Sequence, residues 1–486
     1  MSSSDFEHQT VSDLDTTKHP APSTGAPRWY APVGVIQGFR APASETRDQQ
    51  VLRAIGVPYA YANRHQEPRR LTELPEGSIT VADTPGPTCP QRPSPVSKKI
   101  APHAESRRHD EHCQHVAVTV PDGTSPEAKL PVMVWIHGGA NIAGGGDIPR
   151  FNPSQMVAEH GVIVASLTFR LGAYGFLGGG ADRGEGVPPA NLGLMDIREG
   201  LAWIRENISA FGGDPDQITV FGQSAGAALI LSIMVAEGMA KREATAVGKP
   251  YAPPFRRTIL QSLPFGFLGG QAAMYDAMID AAGPIDGATS HEDIAAAEDR
   301  ATAAARPFKA MPWGVRYGAA PLPDESLSDD ALAAIAPDID ILLGQTPREA
   351  ALFFNDAKEA ARLKKVPAVG GQLYERAMRF FTKATYGGSA KFAKKWVAAG
   401  GSALHYTLDW GARDNPYRSA HTCDLPLLLG DAETWRDSVL LEGKSWLDVA
   451  KDRRAMQAIW TQFAKTGAVA ESVLRTADFL KVEKVG

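Results

Sequence analysis

Apolar runs and amphipathic segments alternate through the first half of the chain. Continuous apolar runs of five to seven residues are typical of strands that are buried on both faces of a sheet. Amphipathic helices are expected at 152–159 and 195–211, because apolar residues recur on one face. Alternating strands and helices indicate an α/β fold with a central, mostly parallel sheet flanked by helices. The strands are predicted at 115–120, 131–136, 161–167, 217–222 and 258–262.

The second half of the chain is richer in helix. Two helical stretches, around 270–320 and 355–400, lack strand alternation, and we interpret them as insertions over the carboxyl edge of the sheet, where sites in such folds lie. Residues 1–30 are polar and aperiodic, which predicts a disordered or loosely attached tail. Residues 31–486 are expected to form one domain. Late strands are predicted at 339–344 and 402–408, and a helix at 448–466.

The composition narrows the range of partners. The chain has 486 residues, and its 50 basic residues nearly balance 55 acidic ones, so nothing favours nucleic acid or an anionic membrane. No apolar run approaches the ~18 residues of a membrane span, and no secretory signal is recognisable. We therefore expect a cytoplasmic monomer or homodimer that acts on a small molecule.

A nucleophile elbow is predicted at Gly222-Gln-Ser-Ala-Gly226. In this motif a sharp strand-to-helix turn exposes a serine, and the flanking glycines avoid clashes with neighbouring chain. A bare Gly-x-Ser-x-Gly also occurs by chance, and an ordinary glycine-rich turn is the alternative. The apolar strand before the motif and the helical stretch after it favour Ser224 as a nucleophile.

A serine nucleophile needs a histidine base and an orienting acid, which follow it in the order acid, then histidine. Of the histidines after Ser224, His291 lies in a helical block and His405 inside a strand. His421 lies in a loop after a late strand, which is the expected position of the base. We therefore predict His421 as the base.

The acid should follow a strand that comes after the elbow. Glu349 lies a few residues beyond the predicted strand at 339–344, whereas Asp340 is inside that strand and Asp356 is far along the chain. A solvated Glu paired with Arg348 is the alternative. Glu349 is the candidate acid.

Backbone N–H groups are needed to stabilise the oxyanion of a tetrahedral intermediate. The segment Trp135-Ile-His-Gly-Gly-Ala-Asn141 directly follows a buried strand, where such a loop is expected. Gly139 and Ala140, together with Ala225 after the nucleophile, are therefore the candidate oxyanion-hole donors.

Several motifs together resemble one family. In chain order over about residues 50–265, the sequence resembles a type B carboxylesterase of the α/β-hydrolase superfamily, the group that includes cholinesterases. The segment 261–266 is also similar to bacterial hydrolases of aryl carbamates such as phenmedipham. The motifs are Gly56-Val-Pro-Tyr-Ala60, Cys89-Pro-Gln91, Glu111-His-Cys113, Trp135-Ile-His-Gly-Gly139, Phe169-Arg-Leu-Gly172, Asn191-Leu-Gly-Leu-Met-Asp196, Phe211-Gly-Gly-Asp-Pro215, Gly222-Gln-Ser-Ala-Gly226 and Ile259-Leu-Gln-Ser262.

The resemblance implies an α/β-hydrolase fold with helical insertions over the active site, and a serine esterase that works through an acyl-enzyme without cofactor or metal. It implies the triad Ser224, Glu349 and His421. It further implies that Ser262 supports the triad from behind.

The resemblance also implies pairings away from the triad. Glu111 and Arg170 match a structural ion pair of the family. Cys89 and Cys113 align with its first disulfide, although two thiols are expected in a reducing cytoplasm. The sequence departs from the family at Ala140, where glycine is usual.

Three alternatives remain open. A carbamate or amide hydrolase would use the same machinery, and a non-catalytic binding module would share only the fold. A metal site is the third alternative, because cysteine and histidine cluster at 109–115, but no spacing matches a known closed site.

Three aromatic residues, Phe169, Phe265 and Trp313, are candidates either for an apolar pocket or for ordinary core.

Overall fold

The computed structural model describes residues 25–43, 48–74, 78–103, 107–179, 187–308 and 310–486. Most of the predicted N-terminal tail, residues 1–24, lies outside these ranges. A strand begins at Arg28, slightly before the predicted boundary at residue 31. Trp29 explains this difference, because its ring is buried and stacks on Phe211 with centroids 4.7 Å apart.

The strands lie close to their predicted positions, and the strand at 402–408 agrees at both ends. They are β1 (Arg28–Ala31), β2 (Gly34–Gln37), β3 (Phe39–Pro42), β4 (Gln50–Pro58), β5 (Ala60–Tyr61), β6 (Arg69–Arg70), β7 (Ile79–Val81), β8 (His115–Pro121), β9 (Leu130–Ile136), β10 (Ile163–Thr168), β11 (Gly213–Gln223), β12 (Arg257–Gln261), β13 (Asp340–Gln345), β14 (Ser402–Leu408) and β15 (Leu480–Lys484).

The α-helices separate the central strands and fill the second half of the chain. They are α1 (Pro95–Ile100), α2 (Ser154–His160), α3 (Gly172–Phe176), α4 (Leu192–Asn207), α5 (Ala225–Ala246), α6 (Ala272–Ala282), α7 (His291–Ala305), α8 (Ser328–Ile335), α9 (Ala351–Phe354), α10 (Lys358–Lys364), α11 (Gly370–Tyr386), α12 (Ser389–Ala398), α13 (Ala432–Trp435), α14 (Trp446–Thr466) and α15 (Glu471–Leu474).

One ten-stranded sheet organises the described chain. Its strand order is β15-β14-β13-β12-β11-β9-β10-β8-β4-β3. The strands from β10 to β14 pair in parallel, as the alternation of strands and helices predicts. Both edges are antiparallel, which the sequence patterns did not reveal. At one edge β3 and β4 are joined by only seven residues, too few for the crossover that parallel pairing needs.

The core has one layer on each face of the sheet, and β9 shows how the sequence divides them. Val132, Val134 and Ile136 pack into one buried cluster, whereas Met133 and Trp135 pack into the other. This alternation follows from the two-residue period of a strand. Helices α4 and α5 cover the first face and α14 covers the second, so the elbow strand β11 lies inside the molecule.

The predicted ion pair between Glu111 and Arg170 is wrong. Glu111 pairs with Arg64, while Arg170 donates from Nε and Nη2 to the carboxylate of Asp196 at 2.8 and 2.7 Å. Asp196 is completely buried on α4, where an unpaired charge would be costly, and Arg170 supplies the opposite charge. The resemblance matched residue types but could not show which partner was nearest.

The three cysteines are buried free thiols. Cys89 and Cys113 lie side by side, and burial together with the hydrogen bond to Cys89 raises the pKa of the Cys113 thiol. The aligned disulfide is therefore absent from this structure.

Candidate active site

The elbow has the strained geometry that its sequence predicts. Ser224 connects β11 to α5 with φ 57° and ψ −124°, in a region that non-glycine residues rarely adopt. A Cβ atom on Gly226 would lie 2.2 Å from the carbonyl oxygen of Ile136, and one on Gly222 would lie 2.7 Å from it. Neither distance is possible for a methyl group, so both positions require glycine.

His421 and Glu349 come together beside the elbow. Glu349 follows β13 and His421 follows β14, and these strands are neighbours in the sheet. His421 Nδ1 lies 2.5 Å from Glu349 Oε2, and the two side chains are 3% and 0% exposed. The other carboxylate oxygen accepts hydrogen bonds from Ser262 Oγ at 2.6 Å and from the Thr346 N–H at 2.7 Å. The carboxylate is thus fixed, and it can orient the imidazole.

The free nitrogen of His421 faces Gln223 rather than the serine. Its Nε2 lies 3.2 Å from the side-chain nitrogen of Gln223, and no hydrogen bond joins it to Ser224. With the Nδ1 proton donated to Glu349, Nε2 can accept from the Gln223 amide. Catalytic hydrogen bonds are often long before substrate binds. The sequence gives no signal for this contact, because Gln223 occupies a position of the Gly-x-Ser-x-Gly motif that any residue can fill.

The loop after β9 places backbone N–H groups next to the serine. Gly138 packs so closely that a Cβ atom there would lie 3.3 Å from Ser224 Cβ. Gly139 and Ala140 adopt positive φ angles of 127° and 55°, and their N–H groups donate to nothing in the described chain. The N–H of Ala225 begins α5 and has no acceptor within that helix. All three predicted donors are therefore unpaired.

His137 anchors this loop as a neutral side chain. Burial lowers its pKa to about 4, and its ring stacks on Phe169 with centroids 4.4 Å apart. Nδ1 lies 2.9 Å from the Gly138 carbonyl oxygen. Phe169 thus supports the loop, and it is absent from the described lining of the cavity beside Ser224.

Ser224 and His421 open into a cavity of about 650 Å³ with largely apolar walls. Phe265 and Trp313, the other aromatic candidates, are absent from its described lining; Phe265 packs on Phe392 instead. Only Phe381 and Tyr386 of its aromatic walls come from the region predicted as the second insertion. The other aromatic residues of the lining are Phe151, Phe267, Phe353 and Phe354.

A second buried carboxylate lies close to His421 and Glu349. Asp424 accepts a hydrogen bond from Gln261 Nε2 at 2.5 Å, while its Oδ1 has no partner. Burial raises the pKa of Asp424 to about 6. Asp424 therefore keeps its proton to a higher pH than a surface aspartate does.

Comparison with known proteins identifies the family of this chain. A model of the carboxylesterase family matches residues 26–263. A probable N-octanoylanthranilate hydrolase of Rhodococcus erythropolis is 33% identical over 450 residues, which cover 91% of this chain and 93% of that protein. The chain belongs to the carboxylesterase family. The predicted family is thus confirmed.

Other members of the carboxylesterase family are similar over most of the chain. A para-nitrobenzyl esterase of Bacillus subtilis is 31% identical over 449 residues, covering 87% of this chain and 88% of that protein. The solved structure of a thermophilic PNB esterase superimposes with a TM-score of 0.73 at 26% identity, over 94% of this chain and 97% of that one. The predicted α/β-hydrolase fold is confirmed, and the family supports ester hydrolysis.

Neither a metal-binding cluster nor a membrane-spanning helix occurs in the described part of the chain. The described residues contain no cluster of three or more histidine, cysteine or acidic side chains that could hold a metal ion, and this includes the described part of 109–115. None of the described helices combines the length and apolar character needed to cross a lipid bilayer.

Proposed function

We propose that this chain is a serine carboxylesterase with Ser224 as nucleophile, His421 as base and Glu349 as orienting acid. The observation that carries the proposal is the contact between His421 and Glu349 beside a strained serine at the floor of an apolar cavity. Gly139 and Ala140 line the same cavity, and together with Ala225, the residue after Ser224, they supply unpaired N–H groups. No cofactor is required by this chemistry, and the partner is a small-molecule ester.

The reaction proceeds in two half-reactions. Ser224 Oγ attacks the ester carbonyl while its proton passes to His421 Nε2, and the oxyanion is stabilised by the three N–H groups. The bond to the leaving oxygen then breaks, and His421 returns the proton to the departing alcohol. Water attacks the acyl-serine in the same way, which releases the carboxylic acid and restores the serine hydroxyl.

Before attack, the hydroxyl of Ser224 must replace the Gln223 amide at His421 Nε2. We therefore assign Gln223 a resting-state role: it occupies the basic nitrogen while the cavity is empty. Substrate entry that turns the serine hydroxyl toward the histidine would displace this contact.

An amide or carbamate hydrolase is the second candidate, and one observation favours it. The relative from Rhodococcus erythropolis is named for N-octanoylanthranilate, in which an octanoyl group is joined to an aminobenzoate through an amide bond. The same triad would cleave such a bond, provided that His421 protonates the leaving nitrogen. The cavity of about 650 Å³ has space for a medium acyl chain and an aromatic ring.

A fluorophosphonate probe tests the serine directly. We expect the wild-type protein to be labelled at Ser224 and to hydrolyse p-nitrophenyl octanoate, and the Ser224→Ala variant to lose both properties while it keeps its circular dichroism spectrum. Ser402→Ala, on an exposed position of β14, is the matched control and should retain both. Rates on an aryl carbamate and on octanoyl anilide then rank the substrate classes. Unlabelled wild-type protein without turnover would instead support a non-catalytic binding module.

A further inference from the structure

Arg150 is a buried cation at the wall of the catalytic cavity. It lies in the short turn Pro149–Phe151, between the oxyanion loop and α2, and is only 6% exposed. The same cavity is lined by Ser224 and His421. We infer that Arg150 binds a carboxylate group carried by the substrate, which deepens the proposed function and rests on it.

Arg150 has no protein partner for its charge. Its Nε is buried without a hydrogen-bond acceptor, and no described carboxylate forms an ion pair with its guanidinium. The nearest charge-related contact is the face of the Phe151 ring, 5.0 Å from the guanidinium carbon. Three other buried arginines each have a carboxylate partner, namely Arg170 with Asp196, Arg257 with Asp340 and Arg316 with Asp276.

An unpaired buried cation is costly, since a group that loses water must normally gain an opposite charge or hydrogen bonds. Burial lowers the pKa of Arg150 only to about 10, so the guanidinium stays charged at neutral pH. A ligand carboxylate would supply the missing partner. The planar fork of a guanidinium matches a carboxylate with two parallel hydrogen bonds.

A second cavity adjoins Arg150 and is lined by further basic side chains. Arg150 also lines an adjoining cavity of about 290 Å³, which shares Ser94 and Ser97 with the catalytic one. No aspartate or glutamate of the described chain lines either cavity. The basic side chains that line the adjoining cavity are Arg92, Lys98, Arg107 and His109. Arg92 is paired with Asp299, and burial lowers the pKa of His109.

The lining of the cavity therefore combines two kinds of chemistry, aromatic side chains and one cation. Aromatic side chains suit an apolar acyl chain or ring, and Arg150 suits an anion. The substrate class that satisfies both is an ester or amide with an apolar body and one free carboxylate. The carboxylate can be part of the leaving group, as in acylated hydroxybenzoates or aminobenzoates, or can end the acyl chain, as in half-esters of dicarboxylic acids.

Matched substrates test this inference and distinguish the two locations. The first pair is 4-carboxyphenyl octanoate and its neutral carboxamide, and the second is the mono-p-nitrophenyl ester of suberic acid and its methyl ester. We expect the wild-type protein to prefer the carboxylate by about 10- to 100-fold in kcat/KM in one pair, mainly through KM. The pair that shows the preference identifies the location.

Variants of Arg150 then test whether its guanidinium causes the preference for carboxylate substrates. Arg150→Met should remove the preference, and Arg150→Lys should keep part of it because the charge remains without the fork. Arg475→Met, an exposed arginine on the surface beyond α15, changes the net charge equally and should leave the ratio unchanged. A wild-type protein that turns over the neutral esters without preferring the carboxylate in either pair would overturn the inference, and would leave the esterase proposal intact.

A binding measurement separates this inference from catalysis. Calorimetry on the Ser224→Ala protein should measure a higher affinity for benzoate than for benzamide. The additional Arg150→Met change should abolish this difference in affinity. Equal affinity for the two compounds counts against the inference, even if no ester is hydrolysed. Since the wild-type substrate pairs need no Arg150 variant, a variant that fails to fold does not prevent the test.

Discussion

His421 Nδ1 lies 2.5 Å from Glu349 Oε2, although 72 residues separate the two side chains in the sequence. Adjacent parallel strands bring them together, because each residue follows the carboxyl end of its strand. The carboxylate is also held by Ser262 and by the Thr346 N–H. Its position is therefore set by three separate groups before any substrate binds.

Replacement of the acid should reduce the rate far more than the affinity. Glu349→Gln keeps the shape but can present its amide nitrogen to His421, which favours the wrong tautomer of the imidazole. We expect kcat for p-nitrophenyl octanoate to fall by about 10³- to 10⁴-fold. Steady-state kinetics would measure it, with Glu375→Gln, the partially exposed partner of Arg348, as the control. A loss of less than tenfold would argue against Glu349 as the orienting acid.

Asp424 should make stability depend on pH. Its pKa is about 6 in the folded protein and 3.8 in the unfolded chain, so the folded protein retains this proton over a range where the unfolded chain has released it. Its contribution to the free energy of unfolding is thus complete below about pH 4 and lost as the pH rises through 6, in total about 3 kcal/mol.

The Asp424→Asn variant should lack this dependence. Urea unfolding at pH 4 to 7 would measure the free energy of unfolding. We expect it to decline less with rising pH in the variant than in the wild type. Asp330→Asn, at an exposed position, should follow the wild-type curve. Parallel curves for Asp424→Asn and the wild type would show that the carboxyl group is not held in its neutral form.

Gly226 should tolerate no side chain. A Cβ atom 2.2 Å from the Ile136 carbonyl oxygen forces the elbow and β9 apart, so Gly226→Ala should lower the free energy of unfolding by about 3 kcal/mol and disturb Ser224. Gly371→Ala on α11 is the matched control, because its added Cβ meets no atom within 4 Å. That variant should gain up to about 1 kcal/mol from better helix propensity. Chemical denaturation of both variants decides the point.

Ala140 has a backbone conformation that is unfavourable for a residue with a side chain. With φ 55°, an alanine costs about 1 kcal/mol more than glycine, so Ala140→Gly should stabilise the protein by about that amount. Ala368→Gly, at φ 64° outside the cavity, should give a similar gain in thermal stability. Only Ala140→Gly should raise the kcat/KM ratio of branched over linear acyl esters, because it removes a methyl group beside the reacting carbonyl. An unchanged ratio would place that methyl group away from the substrate.

The sequence predicted the parts of the fold and site that depend on local patterns. Strand and helix positions followed from the spacing of apolar residues, and the sharp turn at Ser224 and the loop after β9 followed from glycines next to buried strands. The sequence also singled out Glu349 and His421, because each follows a late strand. Their contact in the structure supports that choice, and the triad remains our proposal.

Features that depend on packing between distant segments could not be predicted. Helical periodicity placed helices in the second half of the chain but did not show that Phe353 and Phe381 would line the cavity that contains Ser224. Arg150 had no sequence signal, because its unpaired state is visible only when every neighbour is in place. The partners of Glu111 and Arg170 were misassigned for the same reason.

Because β15 is near the end of the chain, the outer edge of β14 stays uncovered until synthesis is almost complete. β14 ends at Leu408, and the strand that covers its outer edge begins only at Leu480, after α13, α14 and α15. While the ribosome synthesises the intervening residues, the backbone of β14 has no partner on that side and can pair with another nascent chain. Protection of this edge therefore depends on a segment that contributes nothing to the catalytic cavity.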